Sequence, residues 1–428
     1  MSRTRVAEAA TAATNPPGWD VCITDYRAGT SAVMAIQDVF AALPPPAAIG
    51  TVSNIVGSVY GGNPTYNQDG FWDNTCMSWQ KLSSALQGAG YGPSDSDRAA
   101  QQTFANWRGL FVRKDLNDLG QIPYQGPTPC NSPDIVCNQS GPLTHSTLLN
   151  RWNDYFWNYG TVGKNYIYAR GSSINIPVAL GLPNSDLPQV QMYFTDAGFN
   201  IPPTSWHRCT TVSGKYSMPI ETSPIQPGDR WTGPTSDPFL FEPPTAEHYC
   251  LLSVVQSEFF ANNVDQLDPG SNWNSWTWLI NNGAAGWHNI NVQTAPAARL
   301  KFYNLDGRAE RFVFEASCEN VPAGTTVSLH LPGIRAASGQ IRHKHQSLRT
   351  LAVIPAQTAD ELEVRIETPD GKLLPAGASV DVRMYWELEY GHEHYLDGAH
   401  HLGMLADVLA ERSIRLPMGN HVFIGSPR

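Results

Sequence analysis

The feature that most constrains the fold is a series of short β-type runs between residues 132 and 292. Examples are residues 165–170, 190–194 and 248–255, and long connections rich in Pro, Gly, Ser and Asn separate them. Short strands between turn-forming connections are the pattern of a β-sandwich. We therefore predict one sandwich domain over residues 130–296.

A second β region follows in the C-terminal third of the chain. Apolar or aromatic residues occupy every other position between Val380 and Tyr390. A period of two is typical of an antiparallel strand with one buried face. Similar runs lie at residues 311–315, 326–331, 348–354 and 362–367. They predict a second sandwich with a C-terminal helix and tail over residues 297–428.

The first 129 residues show a helical pattern instead. One helix is predicted over residues 30–43, where three consecutive prolines end it, and a second around Trp79 and Leu86. A third helix is predicted from an apolar stripe of four residues, Ala100, Phe104, Trp107 and Phe111. The predicted fold class is mainly β, with two immunoglobulin-like β-sandwich domains and a small helical or irregular N-terminal region, residues 1–129.

Charge and composition narrow the classes of partner. The formal net charge is −10 and only 15% of the residues are charged, so nucleic acid is not a predicted partner. No run of about 18 apolar residues occurs, so no membrane span is predicted. The first 18 residues lack the apolar core of a signal peptide, and the localisation stays unknown, with the extracellular space and a released particle as candidates.

The seven cysteines form no CxxC pair, which argues against a metal ribbon. Without a visible signal peptide, buried free thiols are the expectation. A disulfide between Cys130 and either Cys137 or Cys209 remains an alternative if the chain reaches an oxidising compartment.

Four motifs of the middle region resemble the CARDB type of immunoglobulin-like module, which is appended to secreted bacterial proteins. The family has an SPDI-like first strand, a YVRV-like strand, a VxVYxxD-like strand ending near a Trp, and an HYCLLA-like core strand. The corresponding stretches here are residues 132–135, 166–170, 190–196 with Trp206, and 248–254. The resemblance covers roughly a third of the chain and implies a non-catalytic module for presentation, adhesion or assembly. Residues 139–164 depart from the family pattern as a long insertion, in which residues 143–157 are compatible with a helix.

The densest group of potential metal ligands follows the strand at 380–390. Imidazole and carboxylate suit zinc and other first-row metals, and the group consists of His392, Glu393, His394, Asp397, His400 and His401. On a strand, His392 and His394 would share a face and clasp an ion, with His400 as a further candidate. The spacing matches no familiar metal motif, so a polar turn is the competing interpretation and the sequence predicts no metal or other cofactor.

A second candidate is the aromatic segment around Trp276 and Trp278. On a strand these two rings would share a face and could form a sugar-stacking platform, but aromatic residues dominate cores and interfaces, so the sequence favours packing in a core or interface. Motifs for a nucleophile or a phosphate loop are absent from the sequence. Asp69 and Asp73 only loosely match a calcium loop, so an ordinary turn is expected there.

These patterns predict a non-enzymatic structural or assembly subunit that self-associates or presents a surface. The first alternative is a carbohydrate-binding or adhesive module that uses Trp276 and Trp278, and the second is a metal-dependent hydrolase. The predicted partner is the chain itself, in a homo-oligomer or larger assembly. We expect either the N-terminal leader or residues 414–424 to dock onto an adjacent protomer.

Overall fold

The computed structural model describes most of the chain after residue 78. The described residues are 79–97, 109–118, 120, 124, 126–154, 160–174, 188–221, 230–245, 247–256, 264, 273–280, 282–292, 297–334, 336–402 and 413–425. The predicted helix at 30–43, the N-terminal leader, Asp69, Asp73 and most of the stripe that starts at Ala100 lie outside these ranges.

Strands dominate the described residues, which confirms the prediction of a mainly β protein. The first part contains β1 (Gly109–Phe111), β2 (Ile135–Asn138), β3 (Asn165–Ile174), β4 (Gln189–Asp196), β5 (Gly198–Phe199), β6 (His207–Arg208), β7 (Met218–Pro219), β8 (Arg230–Gly233), β9 (Phe239–Phe241), β10 (His248–Gln256) and β11 (Ala285–Asn291). The second part contains β12 (Ala297–Asn304), β13 (Glu310–Glu319), β14 (Thr326–His330), β15 (Ala337–Gln340), β16 (His345–Ile354), β17 (Thr358–Glu367), β18 (Ser379–Leu388) and β19 (Ile414–Ile424). The helices include α1 (Trp79–Gly88), α2 (His145–Asn150), α3 (Ser275–Ile280) and α4 (Tyr395–His401).

The first part forms two sheets. In sheet I, β3 pairs with β1, β2, β8 and β9, and in sheet II the order is β11-β10-β4-β6 with β7 beside β4. Strand β10 is buried at all but its last position, because both faces of sheet II are covered. This explains why its sequence is a nearly continuous apolar run rather than an alternating one.

The second part forms two more sheets. Sheet III has the order β15-β14-β17-β12-β5, and sheet IV has the order β16-β13-β18-β19. Every second residue of β18 is buried, as the alternation predicted. Tyr390 is an exception, because the strand ends at Leu388 and the Tyr390 side chain is 56% exposed.

The connections of the second part mostly cross from one sheet to the other. β12 belongs to sheet III, β13 to sheet IV and β14 to sheet III again. In an immunoglobulin domain the first two strands are neighbours in one sheet. The two-sheet architecture therefore matches the predicted sandwich, while its strand order differs from the immunoglobulin order.

A strand from the first part completes a sheet of the second. β5 pairs in parallel with β12, where Gly198 lies opposite Lys301. A side chain at Gly198 would collide with the Lys301 carbonyl oxygen, so glycine is needed for this approach. Next to it, the Asn200 backbone N–H donates to the Met418 carbonyl at 2.9 Å, and one apolar core continues through both parts.

Several local expectations are corrected by the structure. Phe111 lies on β1 rather than on a helix, and the long connection at 200–244 contains β6 to β9. The insertion does contain a helix, α2, but a short one, and the Thr144 side chain caps it by accepting from the Thr147 N–H. The predicted helix at Trp79 is confirmed as α1.

The C-terminal tail forms a strand that pairs within its own chain. β19 pairs with β18 of its own chain in antiparallel register from Ser379–Ile424 to Leu388–Ile414. Residues 414–424 therefore have a partner strand in the same chain, and docking of either end of the chain on an adjacent protomer stays a prediction. Of the described helices, none has both the length and the apolar character that crossing a bilayer requires.

Candidate metal centre

The candidate ligands His392 and His394 lie in a turn between β18 and α4, not on a strand. Gly391 has a φ of 86°, a left-handed conformation that glycine adopts without steric cost. The His392 N–H donates to the Glu389 carbonyl at 3.0 Å, and the Tyr395 N–H donates to the His392 carbonyl at 2.9 Å. The turn therefore directs the two imidazoles by backbone hydrogen bonds instead of by strand alternation.

The opposing wall is the loop between β12 and β13. The Asn304 side-chain amide donates to the carbonyls of Arg308 (2.9 Å) and Ile354 (3.1 Å). Its oxygen accepts from the Asp306 N–H at 3.1 Å. Asp306 Oδ1 in turn accepts from the Arg308 N–H at 2.9 Å. These bonds hold the Asp306 carboxylate, which is buried, in a fixed orientation.

His394 faces this carboxylate. Its Nε2 lies 3.0 Å from Asp306 Oδ2 and 3.9 Å from Glu393 Oε1. One ligand atom from each of Asp306, Glu393 and His394 lies within 4.8 Å of the others. Arg308 also contacts the group, because its Nη2 lies 2.8 Å from Glu393 Oε1.

His392 has separate partners. Its Nδ1 accepts from the His394 N–H at 3.2 Å, which leaves the proton on Nε2. Nε2 lies 3.1 Å from Glu310 Oε1. The other oxygen of Glu310 accepts from the Trp386 indole N–H at 2.9 Å. His392 is therefore bound to its own carboxylate, and the structure separates the two histidines that the sequence grouped as one clasp.

The indole of Trp386 forms the floor under both rings. Its centroid lies 5.7 Å from the His392 ring and 5.3 Å from the His394 ring. Trp386 is one of the inward-facing residues of β18 and is 4% exposed. The sheet core thus fixes the turn, while His394 keeps a partly exposed edge. His400, the third candidate, lies on α4.

The sequence did not identify Asp306 as part of this group. It lies 88 positions before His394, so no local spacing connects the two residues. The available signal was the Asp306-Gly307 pair, which indicates a turn and not a ligand.

The candidate sugar platform is not formed. Trp276 and Trp278 lie on helix α3 rather than on a strand, and they are 7% and 1% exposed. The Trp278 ring packs 5.3 Å from Trp206, and Trp206 also contacts Trp273 and Trp287. These indoles form core packing between α3 and sheet II, the alternative that the sequence left open.

The described cysteines are buried free thiols, as expected. Burial raises the pKa of Cys250 to about 12 and that of Cys318 to about 11. At neutral pH these side chains are therefore protonated and lack the thiolate that nucleophilic or metal-binding cysteines need.

Comparisons with known proteins identify no family for this chain. No family model matches, and no curated protein matches. Solved structures with partial similarity include the calcium-binding domain CBD12 of CALX1.1, at 11% identity and a TM-score of 0.14 over 59% of this chain and 88% of that one. The secreted serine protease VesC from Vibrio cholerae is 7% identical, with a TM-score of 0.17 over 49% of this chain and 47% of that one. The BSP domain of a biofilm-associated protein is 5% identical, with a TM-score of 0.16 over 59% and 55%. At these TM-scores the likenesses carry no functional assignment.

Proposed function

We propose that this chain is a non-enzymatic structural module that self-associates through the edge strand β16. The observation that supports the proposal is the position of two exposed apolar side chains on this strand. Leu351 is 45% exposed and Val353 is 58% exposed. They lie two residues apart and therefore share one face of sheet IV.

Strand β16 is the end strand of its sheet. It pairs with β13 along ten residues, and no second strand of the described ranges pairs with it. The opposite end of the sheet differs, because β19 packs against α3, α4 and β5. An uncovered edge with apolar side chains is a surface on which another strand can add.

The charged residues around the apolar pair form ion pairs within the chain. Arg349 Nε lies 2.7 Å from Glu315 Oε2, and Arg311 Nη2 lies 2.9 Å from Glu387 Oε2. The pairs compensate each other, so two copies of this face would approach without bringing together unpaired like charges. A second copy of the chain is therefore the occupant that we propose.

The strand is also compatible with itself in antiparallel register. A two-fold axis at residue 352 would place Leu351 of one protomer opposite Val353 of the other. Cross-strand pairs of apolar residues stabilise such contacts by about 0.2–1 kcal/mol each. A contact of this kind is isologous and closes as a dimer.

The test is the mass of the purified full-length chain by light scattering. We expect a dimer at about 100 μM, since a small edge interface is expected to be weak. The double substitution Leu351→Lys with Val353→Lys should raise the dissociation constant at least tenfold, because it places four ammonium groups at one contact.

The matched control changes the same residue types elsewhere. Val212 and Leu373 are 51% and 48% exposed, so Val212→Lys with Leu373→Lys should leave the dimer intact. A wild-type chain that is monomeric throughout this concentration range would contradict the proposal. So would a dimer that survives the β16 substitutions unchanged.

A further inference from the structure

We propose that Asp306, Glu393 and His394 form a binding site for a divalent transition-metal ion, with Zn²⁺ as the best match. The site is independent of the β16 edge. One imidazole nitrogen and two carboxylate oxygens form a ligand set that zinc accepts. Ca²⁺ and Mg²⁺ instead prefer sets made entirely of oxygen.

The distances fit such an ion. Ligand atoms at zinc bonds of about 2.0–2.1 Å in a tetrahedron lie roughly 3.3 Å apart. His394 Nε2 lies 3.0 Å from Asp306 Oδ2 and 3.9 Å from Glu393 Oε1, so the observed separations lie on both sides of this value. The Glu393 side chain is 48% exposed, so it has room to rotate and shorten its 3.9 Å separation from His394 Nε2.

The three ligands differ in rigidity. Asp306 is held by the Asn304 side chain and by the Arg308 N–H. His394 packs on the Trp386 ring, while Glu393 is 48% exposed and is held by its ion pair with the exposed Arg308. Two fixed ligands and one mobile ligand provide an entry path and leave the fourth position to water, as in open zinc sites.

Arg308 is the competing cation. Its Nη2 contacts Glu393, and its side chain is 61% exposed, so it can turn to solvent when an ion binds. An ion would also replace the hydrogen bond between His394 Nε2 and Asp306 Oδ2. Without an ion, Arg308 and the His394–Asp306 hydrogen bond thus satisfy the two carboxylates that would otherwise bind the metal.

His392 supports the site without belonging to it. Its bond to Glu310 and its acceptance of the His394 N–H fix the backbone that carries His394. Hydrogen-bonded partners outside the ligand set commonly change metal affinity by about 10–100-fold. We therefore infer that His392 positions His394 and does not bind the ion.

The test is isothermal titration of the chelator-treated full-length chain with Zn²⁺. We expect the wild-type chain to bind one equivalent of Zn²⁺, and we expect His394→Ala and Glu393→Gln to lose it. His343→Ala, which changes an exposed histidine, should keep it. His392→Gln should retain that equivalent with a weaker affinity. Circular dichroism of each variant checks that the fold is intact. If His394→Ala, a change at a partly buried residue, unfolds the chain, the result for Glu393→Gln decides the test.

Two results would overturn the inference. One is a wild-type chain that binds no Zn²⁺, and the other is a Zn²⁺ stoichiometry that neither His394→Ala nor Glu393→Gln reduces. Loss of the equivalent in His392→Gln together with retention in Glu393→Gln would also reject this ligand set. Light scattering of the same samples keeps the outcome separate from that of the β16 proposal.

Discussion

Replacing Asp134 by Asn is expected to lower the free energy of unfolding by about 3–5 kcal/mol. Asp134 is fully buried between two arginines. Its Oδ1 lies 2.6 Å from Arg113 Nη2 and 3.3 Å from Arg170 Nε. Its Oδ2 also accepts from the Arg113 N–H at 2.9 Å. The substitution would leave two buried guanidinium groups without a carboxylate.

The surroundings show that this charge is hard to replace. Arg170 donates to the carbonyls of Leu148 and Pro133, and its guanidinium lies 5.2 Å from the Trp152 ring. These contacts satisfy hydrogen bonds but do not neutralise charge. Burial, opposed by Asp134 and reinforced by Arg113, lowers the pKa of Arg170 to about 10, so at neutral pH the group still carries its charge.

Denaturant unfolding followed by tryptophan fluorescence measures the effect. The control is Asp154→Asn, because Asp154 also pairs with an arginine but the pair is about one-third exposed. That change should cost less than about 1 kcal/mol. Equal losses in the two variants would show that burial does not determine the strength of this ion pair.

The ion pair also shows what the sequence allowed and what it did not. Asp134 and Arg170 each belong to a motif that sequence analysis selected as a strand, residues 132–135 and 166–170. Strand β2 does pair with β3, with Ile135 opposite Ala169. The motifs predicted the strands, but a one-dimensional pattern does not show that two charged side chains will meet in the core.

Errors in secondary structure have a similar cause. Trp276 and Trp278 share the spacing of a strand, yet six residues are too few to distinguish a period of two from a helical turn. Phe111 continues an apolar stripe at helical spacing, but it lies opposite Ser172 of β3. In both cases partners distant in sequence determine the local conformation.

Of the candidate metal centre, the sequence indicated the residues of the turn after β18 but not the opposing residue Asp306. His394 was found because histidines and acids cluster after β18. Asp306 was missed because its place depends on the packing of sheet III against sheet IV. Burial and hydrogen-bond partners, which distinguish His392 from His394, likewise follow from tertiary structure.

Three buried histidines, His288, His421 and His248, are expected to make the stability of the fold depend on pH. His288 is fully buried on β11, and burial lowers its pKa to about 4. Burial and the neighbouring His248 lower the pKa of His421 well below its usual value. Burial also lowers the pKa of His248, and the hydrogen bond that its Nδ1–H donates to Asn291 Oδ1 acts in the opposite direction. His248 and His421 lie 3.3 Å apart between Nδ1 and Nε2, and they join β10 of the first part to β19 of the second.

Acidification is therefore expected to destabilise the fold. For each of these groups the unfolded chain binds a proton more readily than the folded chain, so the stabilising effect is complete above the unfolded pKa of 6.5. It is lost as the pH falls from about 6.5 towards the folded value. For His288 alone, the shift to about 4 corresponds to roughly 3 kcal/mol at the lower end of this window.

The measurement is the free energy of unfolding in urea at pH 7 and at pH 4.5. His288→Leu removes the buried titrating group and should reduce the loss between these two pH values by about 2–3 kcal/mol. His343→Leu, a change at an exposed histidine, should leave the loss unchanged, which shows that the effect requires a buried histidine. If wild type and His288→Leu lose the same free energy on acidification, His288 is not protonated on unfolding in this window and the acid sensitivity arises elsewhere.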